Sequence, residues 1–568
     1  MRDRILLSCL APLALVVTVR AQTPDPAAIP HLEKRGALTQ LIVDSRPWLS
    51  LAGELLNNAA STAENARPVW ANLAKANLNT VLVGVGWGWT EPEDGKYDFT
   101  ALDGALRDAR DNNLRVVLLW FGSWKNGTSS YPPAWVKRNW ERYPLARDKD
   151  GKGREILSTL SATNRDADAR AYAALMRHVR EVDSATHTVI MVQLENEVGL
   201  LGDSRDRCKE ANEAFAGPVP KELMDYLQKN KSTLLPETRK LWGAADGRTS
   251  GTWEEVFGKG TGADEAFMAW HYARYMNRVA ELGKKEYPLP IFVNAWIVQP
   301  QDKQPGDYPS GGPQAHNHDF WRAGAPQIDV LAPDIYLPNF AEIAAMYSRN
   351  GNPLFIPETR GDAANAFYAI GQMNAQMFSP FGIERQVSAD GPLAKAYDVL
   401  RQLTPLIVEH QGKGTMRAVM MEAGESPQKV QLGTYVFDFA VGRGWGAPAQ
   451  MAPAPAPVAS VAGVPQAAAG GGGGRAPAPN RGYALVIQVA PNDFWVAGSN
   501  LNVRFASTVA ATSQASLASA QEGRFENDRW LVGRHLAGDD TGMGGEDRAS
   551  LRLRDNISIL RVSLYSYR

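Results

Sequence analysis

TVIMVQLENEVG, residues 188–199, joins a short apolar run to two acidic residues, Glu195 and Glu197. A near-continuous run of aliphatic residues is typical of a strand that is buried on both faces. The polar residues follow at the point where such a strand would end. Two carboxylates at the mouth of a buried strand indicate chemistry if another carboxylate meets them there.

Seven further runs of this kind share the pattern: PWLSLAG (47–53), NTVLVGVGW (79–87), RVVLLWFGSW (115–124), PIFVNAW (290–296), IDVLAPDIY (328–336), PLFIPET (353–359) and AQMFSPFG (375–382). Amphipathic helical patterns separate the runs, as in residues 101–113 and 167–182. Eight strands alternating with helices predict an α/β fold, a (β/α)₈ TIM barrel over residues 35–410. An open doubly wound sheet is the alternative, but no glycine-rich phosphate loop follows the first strand. Residues 200–288 are expected to form an enlarged loop with helices after strand four.

The pattern of apolar and polar residues changes after residue 410. Short alternating runs predict an all-β sandwich domain over residues 411–568. An Ala/Pro/Gly-rich tract at 446–480 interrupts it, and this tract is predicted to be disordered because it cannot bury a core. We expect the tract to be an insertion in a hairpin loop, with TYVFDFAV and YALVIQV as neighbouring strands. The sandwich is expected to brace the barrel rather than to bind glycan.

The N-terminus has the pattern of a secretory signal peptide over residues 1–21, with a basic start, an apolar stretch and cleavage after Ala21. This pattern predicts a periplasmic or extracellular bacterial protein. No later stretch reaches eighteen apolar residues, so no membrane span is expected. After cleavage, Cys208 is the one remaining cysteine, and an internal disulfide is not expected.

Composition and motifs argue against several classes of function. With 60 Lys+Arg against 61 Asp+Glu, the chain has no excess of positive charge for nucleic-acid binding. His316 and His318 are spaced as metal ligands could be, but no other His/Cys cluster supports them, so we predict neither metal nor cofactor. No Gly-x-Ser-x-Gly elbow suggests a serine hydrolase. A homo-oligomer is compatible with the sequence.

Glu197 follows the fourth predicted strand, and Glu358 ends the seventh. Active sites of such barrels lie at the carboxyl ends of the strands, and strands four and seven lie across the mouth from each other. A pair of carboxyl groups can hydrolyse a glycosidic bond, one protonating the leaving oxygen and the other attacking the anomeric carbon. A separation of roughly 5–5.5 Å would indicate retention of configuration.

The stretch QLENEVG (193–199) resembles the Asn-Glu motif of the retaining glycosidases built on (β/α)₈ barrels. It is most similar to family 35 β-galactosidases, which are related to family 42, and the downstream sandwich resembles a domain of a bacterial branch. The resemblance implies that Glu197 is the acid/base and Glu358 the nucleophile. It also implies that Asn196 donates to the sugar 2-hydroxyl and that Glu54 binds sugar hydroxyls.

Other side chains are candidates for the site, but each could instead have a purely structural role in the core. Tyr336 could hydrogen-bond the nucleophile or be an ordinary buried tyrosine. Trp87, Trp89 and Trp124 could form a stacking platform for sugar rings, or pack in the core. Glu195 is expected to point away from the cleft, because neighbours on a strand alternate faces.

The sequence also departs from the family pattern. Ser123, in FGSWKNG, stands where members carry a glutamate that contacts galactose, and Val198 replaces a tyrosine. Lys125 and Asn126 could take over the hydroxyl contacts. The resemblance thus implies a secreted retaining β-galactosidase acting on plant-type oligosaccharides or polysaccharides. The alternatives are the same chemistry on another sugar (β-glucosidase, β-fucosidase or α-arabinosidase) and a carbohydrate-binding barrel without catalysis.

Overall fold

The computed structural model describes residues 29–441, 481–541 and 550–568. The predicted signal peptide (1–21) and the predicted disordered insertion (446–480) lie outside the described residues. Within the described ranges, no helix combines the length and the apolar composition that a membrane span requires.

In the described part of the chain, thirteen strands precede the C-terminal sheet: β1 (His31–Arg35), β2 (Leu38–Val43), β3 (Arg46–Pro47), β4 (Ser50–Glu54), β5 (Thr80–Gly86), β6 (Arg115–Lys125), β7 (Leu145–Arg147), β8 (Gly153–Leu157), β9 (Val189–Asn196), β10 (Ile291–Trp296), β11 (Val330–Ile335), β12 (Phe355–Thr359) and β13 (Met377–Pro380). Eight of them pair in parallel as a closed barrel in the order β4-β5-β6-β9-β10-β11-β12-β13. Each predicted run overlaps one of these eight strands. The predicted (β/α)₈ barrel is therefore confirmed.

The barrel strands alternate with helices that cover the outside: α1 (Ala63–Lys75), α2 (Trp87–Thr90), α3 (Thr100–Asp111), α4 (Ala134–Lys137), α5 (Ala162–Asp183), α6 (Lys209–Ala216), α7 (Lys221–Lys229), α8 (Pro236–Gly243), α9 (Trp253–Phe257), α10 (Thr261–Glu286), α11 (His318–Gly324), α12 (Phe340–Tyr347), α13 (Ala363–Gly371), α14 (Ile383–Gln386) and α15 (Pro392–His410). The excursion after β9 holds α6 to α10, as the sequence predicts. The long helices α5 and α10 pack against each other, and Gly283 lets the ring of Tyr172 approach the backbone of α10.

Inward-facing apolar side chains fill the interior of the barrel towards the amino ends of its strands. Polar groups are left to the carboxyl ends. Ala52, Leu82, Val117 and Phe292 belong to one fully buried cluster inside the strands. The β1–β2 hairpin contributes further apolar side chains to this cluster. The turn after this hairpin lies at the amino ends of the strands, where Asp44 pairs with Arg115 at the start of β6. The open mouth is therefore at the carboxyl ends.

The C-terminal domain is built from antiparallel strands: β14 (Met416–Met421), β15 (Gln428–Leu432), β16 (Tyr435–Ala440), β17 (Gly482–Ala490), β18 (Asp493–Ser499), β19 (Leu501–Ser507), β20 (Gln514–Glu526), β21 (Arg529–His535), β22 (Ser550–Leu553) and β23 (Ser558–Tyr567). One layer contains β15, β16, β19 and β22, and the other contains β14, β17, β18, β23, β20 and β21. The layers share a core that includes Phe437 and Val562, and the Ala506–Gln514 pair joins them. This arrangement confirms the predicted sandwich.

The strands on either side of the Ala/Pro/Gly-rich tract are not neighbours, so the prediction of a hairpin there is wrong. β16 pairs with β15 and β19, whereas β17 pairs with β14 and β18. The two strands belong to opposite layers of the sandwich. Their alternating patterns are equally compatible with either layer, because both layers have one buried face.

The sandwich is joined to the barrel by a continuous apolar core. Helix α13 lies on β14 and β17, where Gly371 leaves room for Leu485 and Ala418. Arg481 adds ion pairs to Asp362 on the barrel side and to Glu422 in the sandwich. These contacts support the expected bracing role. The expected domain boundary at 410/411 lies between the end of α15 and the start of β14.

Candidate active site

Polar side chains gather at the carboxyl ends of six of the eight barrel strands. They are Glu54 on β4, Lys125 on β6, Asn196 and Glu197 at β9, Asn294 on β10, Asp334 on β11 and Glu358 on β12. Because all eight strands run in parallel, these ends meet at one mouth of the barrel. The side chains are largely removed from water, so electrostatic interactions among them are strong.

The two predicted catalytic glutamates meet in this cluster. One carboxylate oxygen each from Glu197, Asp334 and Glu358 lies within 4.8 Å of the others. Glu197 is 8% exposed and Glu358 is 7% exposed. Strands four and seven of the barrel thus bring together two acids that are 161 residues apart in sequence (358 − 197).

Glu358 is a hydrogen-bond acceptor at both of its carboxyl oxygens. Asn196 Nδ2 donates to its Oε1 at 3.0 Å, and the Tyr336 hydroxyl donates to its Oε2 at 2.8 Å. The amide of Asn196 is oriented by Lys125, whose ammonium donates to Oδ1 at 2.7 Å and cannot accept. Both oxygens of Glu358 therefore accept a hydrogen bond from a neighbouring side chain.

Glu197 has the opposite character. Burial in the mouth raises the pKa of its carboxyl to about 8, and the neighbouring Glu358 adds to the rise, while Lys125 opposes it. Glu197 therefore holds a proton near neutral pH. A carboxyl group with a raised pKa beside one that accepts hydrogen bonds at both oxygens is the arrangement that an acid and a nucleophile require.

The raised pKa of Glu197 lowers the free energy of unfolding at high pH, and this effect can be measured. The unfolded chain loses this proton near the ordinary value of 4.5, and the folded chain loses it near 8. Between these values the folded state binds more protons, so the stabilisation present below pH 4.5 is lost as pH rises towards 8. Each such group changes the free energy of unfolding by up to about 1.4 kcal/mol per pH unit.

We therefore expect Glu197→Gln to be more stable than the wild type at pH 8, by on the order of 2 kcal/mol, and nearly equal to it at pH 4.5. Urea unfolding at the two pH values, with the difference between variant and wild type as the readout, tests this. A difference that does not grow with pH would contradict the raised pKa.

Glu195 turns away from the mouth, but regular alternation is not the reason. Residues i and i+2 of a regular strand share a face, so Glu195 and Glu197 would point the same way. Both residues instead adopt left-handed backbone conformations, with φ of 59° and 47°. Such values are uncommon for side chains other than glycine and are found at functional sites. The irregular backbone separates the two carboxylates.

The carboxylate of Glu195 holds the carboxyl end of β6 in place through hydrogen bonds, on the side of the strand that faces away from the mouth. It accepts hydrogen bonds from the backbone N–H groups of Gly122, Ser123 and Trp124 at 2.7–3.1 Å. Burial and the neighbouring Asp168 raise its pKa well above the ordinary value. Glu195 is therefore a structural acid that fixes the strand on which Lys125 sits.

Two of the predicted platform tryptophans do not reach the mouth. Trp87 and Trp124 are fully buried in the layer between strands and helices. Trp124 packs against Tyr272 and Tyr275 of α10, and the indole of Trp87 donates to Glu91. A side chain without accessible surface and directed outward offers no face to a sugar.

Three other predicted positions have clear placements. Trp89 is partly exposed and its ring lies over Gly86, at the end of β5. Tyr336 is 37% exposed and touches Glu358, as expected for a residue of the mouth. Ser123 lies behind the site, where its hydroxyl contacts Asp168 and Tyr275.

Glu54 lies at the end of β4 with an unusual lack of partners. It is fully buried, and neither carboxylate oxygen has a hydrogen-bond partner among the described residues. Burial, followed by the nearby Glu358, raises its pKa well above the ordinary value. A buried carboxyl group without partners is costly unless a ligand provides them.

Two residues of the site were missed in the sequence. Asp334 and Asn294 lie inside the runs LAPDIY and FVNAW, which the sequence identifies as strands. Asn294 accepts from the backbone N–H of Glu197 at 3.0 Å and donates to Asp334 at 2.7 Å. The only available signal was a polar residue at the carboxyl end of an apolar run, which is the same signal that identified Glu358.

Three carboxylates at this spacing could also surround a cation. Their hydrogen bonds argue against that use. Glu358 gives both its oxygens to Asn196 and Tyr336, and Asp334 gives one to Asn294. A cation at this place would have to compete with these hydrogen bonds.

Two family models match parts of the chain. Residues 60–281 match the glycoside hydrolase family 42 model, described as beta-galactosidase, and residues 393–546 match a domain of unknown function, DUF5597. The first match includes Glu197 and the strands β5, β6 and β9, and Glu358 lies beyond it. The closer resemblance to family 35 stays a prediction.

Curated proteins similar to the chain include beta-galactosidase BgaA of Thermus sp, 32% identical over 154 residues (26% of this chain and 22% of the relative). The beta-galactosidase of Xanthomonas manihotis is 29% identical over 209 residues, or 34% of this chain and 31% of the relative. The chain thus spans less than a third of the length of these two relatives.

Solved structures with a similar fold include two β-galactosidases. The enzyme of the psychrophilic Marinomonas ef1 has a TM-score of 0.43 and 14% identity, and covers 64% of this chain and 60% of its own. The cold-adapted enzyme of Rahnella sp. R3 has a TM-score of 0.43 and 16% identity, with 64% and 57% covered. The assignment of the barrel rests on the strand pairing of this chain itself.

Proposed function

We propose that this chain is a secreted retaining glycoside hydrolase, a β-galactosidase that releases terminal β-galactose from plant-type oligosaccharides or polysaccharides. The observation that carries the proposal is the pair Glu197 and Glu358, which meet at the barrel mouth, where the pKa of Glu197 is raised and Glu358 accepts hydrogen bonds at both oxygens. The match of residues 60–281 to a β-galactosidase family supports a glycosyl hydrolase.

In the proposed first step, Glu358 attacks the anomeric carbon while Glu197 gives its proton to the leaving oxygen. In the second step, Glu197 takes a proton from water, which attacks the anomeric carbon and releases Glu358. Inverting enzymes need roughly 6.5–9.5 Å between the two carboxyl groups to fit a water molecule. Carboxylate oxygens within 4.8 Å of each other support the retaining route instead.

The proposed sugar site lies beside this pair. Glu54 offers two buried oxygens without partners, and free sugar hydroxyls would satisfy them. Asn196 is held by Lys125 with its NH₂ group towards Glu358, where it can also reach the 2-hydroxyl of a bound sugar. Lys125 thus acts through Asn196 in this structure, rather than by the direct hydroxyl contact considered from the sequence.

The choice of sugar is the finer part of the proposal. The two curated relatives are named as β-galactosidases, which favours galactose. The alternative is the same chemistry on a β-glucoside, β-fucoside or α-arabinoside. A panel of aryl glycosides decides between them: the highest kcat/KM should be for the β-galactoside, and negligible turnover of it would reject galactose.

The stereochemistry is tested by following the product with NMR. Wild-type protein and an aryl β-galactoside should release β-galactose first, with α-galactose appearing only by mutarotation. Early α-galactose would reject the retaining mechanism. Binding to a wide glycan panel without turnover would instead favour a barrel that recognises carbohydrate and does not catalyse.

The acid/base role of Glu197 gives a separate expected result. For Glu197→Ala, we expect kcat to fall by about 10²–10⁴-fold on substrates whose leaving group needs protonation. Aryl glycosides with strongly acidic phenols need little protonation and should be affected far less in the glycosylation step. An equal loss for both leaving groups would contradict the role.

Export follows from the N-terminal pattern. We propose that residues 1–21 are removed during secretion and that the mature protein acts in the periplasm or outside the cell. The N-terminal sequence of the protein recovered from a bacterial periplasm should begin at Gln22. Intact Met1 in a purely cytoplasmic fraction would reject the proposal.

A further inference from the structure

We propose that Asp334 is a neutral carboxylic acid in the mouth of the barrel, which donates its proton in a hydrogen bond to Glu197 and stabilises the anion that Glu197 becomes during turnover. This inference rests on the proposed function, because it concerns the acid/base of the same reaction. In that reaction Asp334 is a positioning residue that acts through Glu197.

The amide of Asn294 decides which oxygen of Asp334 can carry the proton. The backbone N–H of Glu197 donates to Asn294 Oδ1 at 3.0 Å, so this end of the amide must be the oxygen. The other end, Nδ2, therefore donates to Asp334 Oδ2 at 2.7 Å. Because Oδ2 accepts, the proton of a neutral Asp334 must sit on Oδ1.

Oδ1 of Asp334 has no donor partner within the described residues, and the residue is 2% exposed. The acids near it are Glu358 and Glu197. Glu358 already accepts hydrogen bonds at both oxygens, from Asn196 and Tyr336. One carboxyl oxygen of Glu197 lies within 4.8 Å of one of Asp334, and two buried carboxyl groups this close are stabilised when a proton is shared between them.

The charges around the pair favour a protonated Asp334. The titratable groups that act on Asp334 or Glu197 from the surrounding strands and helices are Glu54, Lys125, Tyr336, Tyr347 and Glu358. Lys125 is already committed to Asn196. Burial, followed by the neighbouring Glu358, raises the pKa of Asp334 well above its ordinary value.

The proton balance of the reaction closes with Asp334 neutral throughout. Before the first step, Glu197 and Asp334 each hold a proton. Glu197 transfers its proton to the leaving oxygen and becomes a carboxylate, which then accepts from Asp334 Oδ1–H. In the second step Glu197 takes a proton from the attacking water, and the starting state returns. A donor to the charged form of an acid makes it a better proton donor.

Two substitutions of Asp334 show whether its side chain is a neutral hydrogen-bond donor or an ionised carboxylate. Asp334→Asn keeps an acceptor for Asn294 and places an N–H donor towards Glu197, whereas Asp334→Ala removes the donor. In Asp334→Ala we expect kcat on a poorly activated aryl glycoside to fall by about 10- to 100-fold. The alkaline limb of its pH profile should move to higher pH by about one unit, because the Glu197 anion loses its donor. Asp334→Asn should stay within about threefold of the wild type.

If Asp334 were ionised, the alkaline limb of the pH profile would shift in the opposite direction. Removal of this side chain would take away a negative charge, so the alkaline limb would move to lower pH in both variants. That movement, an unmoved limb in Asp334→Ala, or an Asp334→Asn variant as impaired as Asp334→Ala would overturn the proposal. A loss of wild-type activity on chelation that Ca²⁺ restores would also overturn it, since a cation would then occupy the place of the proton.

An infrared measurement tests the protonation state without turnover. The difference spectrum between the wild type and Asp334→Asn near pH 7 should contain the carbonyl band of one protonated carboxylic acid. A carboxylate band in its place would overturn the proposal, even if the wild type is fully active. An inactive wild type that still shows the acid band would reject the proposed function alone.

Asp319→Asn is the matched control. Asp319 is also a buried aspartate, but its Oδ2 accepts from the backbone N–H of Leu235, away from the mouth. We expect this variant to lose stability and to keep the alkaline limb of the wild type.

Discussion

Glu358→Gln is expected to lower kcat by at least about 10⁴-fold while the fold is retained. Glutamine has nearly the same shape and still offers one oxygen to Asn196 or Tyr336, so the surrounding hydrogen bonds are largely kept. It cannot form the glycosyl ester that double displacement requires. The loss should therefore appear in the chemical step, with little change in the unfolding transition.

The nucleophile can be distinguished from a residue that merely supports the site. In Glu358→Ala the vacated space should admit azide, which would restore turnover and give the α-galactosyl azide as product. Glu265→Gln is the matched control, because Glu265 is a buried glutamate whose hydrogen bonds go to Tyr308 and Asn317 and not to the acids of the mouth. Comparable losses in the control and in Glu358→Gln would contradict the assignment.

Glu195→Ala is expected to be the most destabilising of these substitutions, by about 3–5 kcal/mol at pH 7. Its carboxylate accepts three backbone N–H groups at the end of β6, and all three would remain buried without a partner. The side-chain contact with Asp168 would be lost as well.

Denaturant unfolding of Glu195→Ala and Glu197→Gln makes a direct comparison of the two glutamates. The first should be strongly destabilised, and the second should equal or exceed the wild type above neutral pH. A loss below about 1 kcal/mol for Glu195→Ala would contradict the fastening role. The two carboxylates of one motif would then be separated by function: Glu197 for chemistry and Glu195 for structure.

The barrel could be predicted because its strands are buried on both faces. Runs such as NTVLVGVGW and PLFIPET are apolar throughout, and this pattern is specific to parallel strands covered by helices. The proposed catalytic pair was identified from the position of Glu197 and Glu358 after two such runs. The sandwich layers could not be assigned in the same way, since β16 and β17 have the same alternating pattern in opposite layers.

The other residues of the site could not be predicted, because their roles depend on tertiary contacts that the spacing of residues in the sequence does not reveal. Asp334 and Asn294 became recognisable through the hydrogen bonds that link them to Glu197. Trp87 and Trp124 were assigned to the mouth because aromatic residues can stack on sugars, but the side of the barrel wall that they face is set by packing against the helices. Glu195 and Glu197 are separated by left-handed backbone angles rather than by strand alternation.

The central claim is that Glu358 forms a covalent bond to the sugar, and trapping tests it most directly. A 2-deoxy-2-fluoro-β-galactosyl fluoride slows both steps and should leave the glycosyl-enzyme intact for mass spectrometry of a proteolytic digest. We expect one fluorogalactosyl group on the peptide that contains PLFIPET (353–359), located on Glu358. A label on Glu197, on Asp334 or on another peptide would contradict the claim.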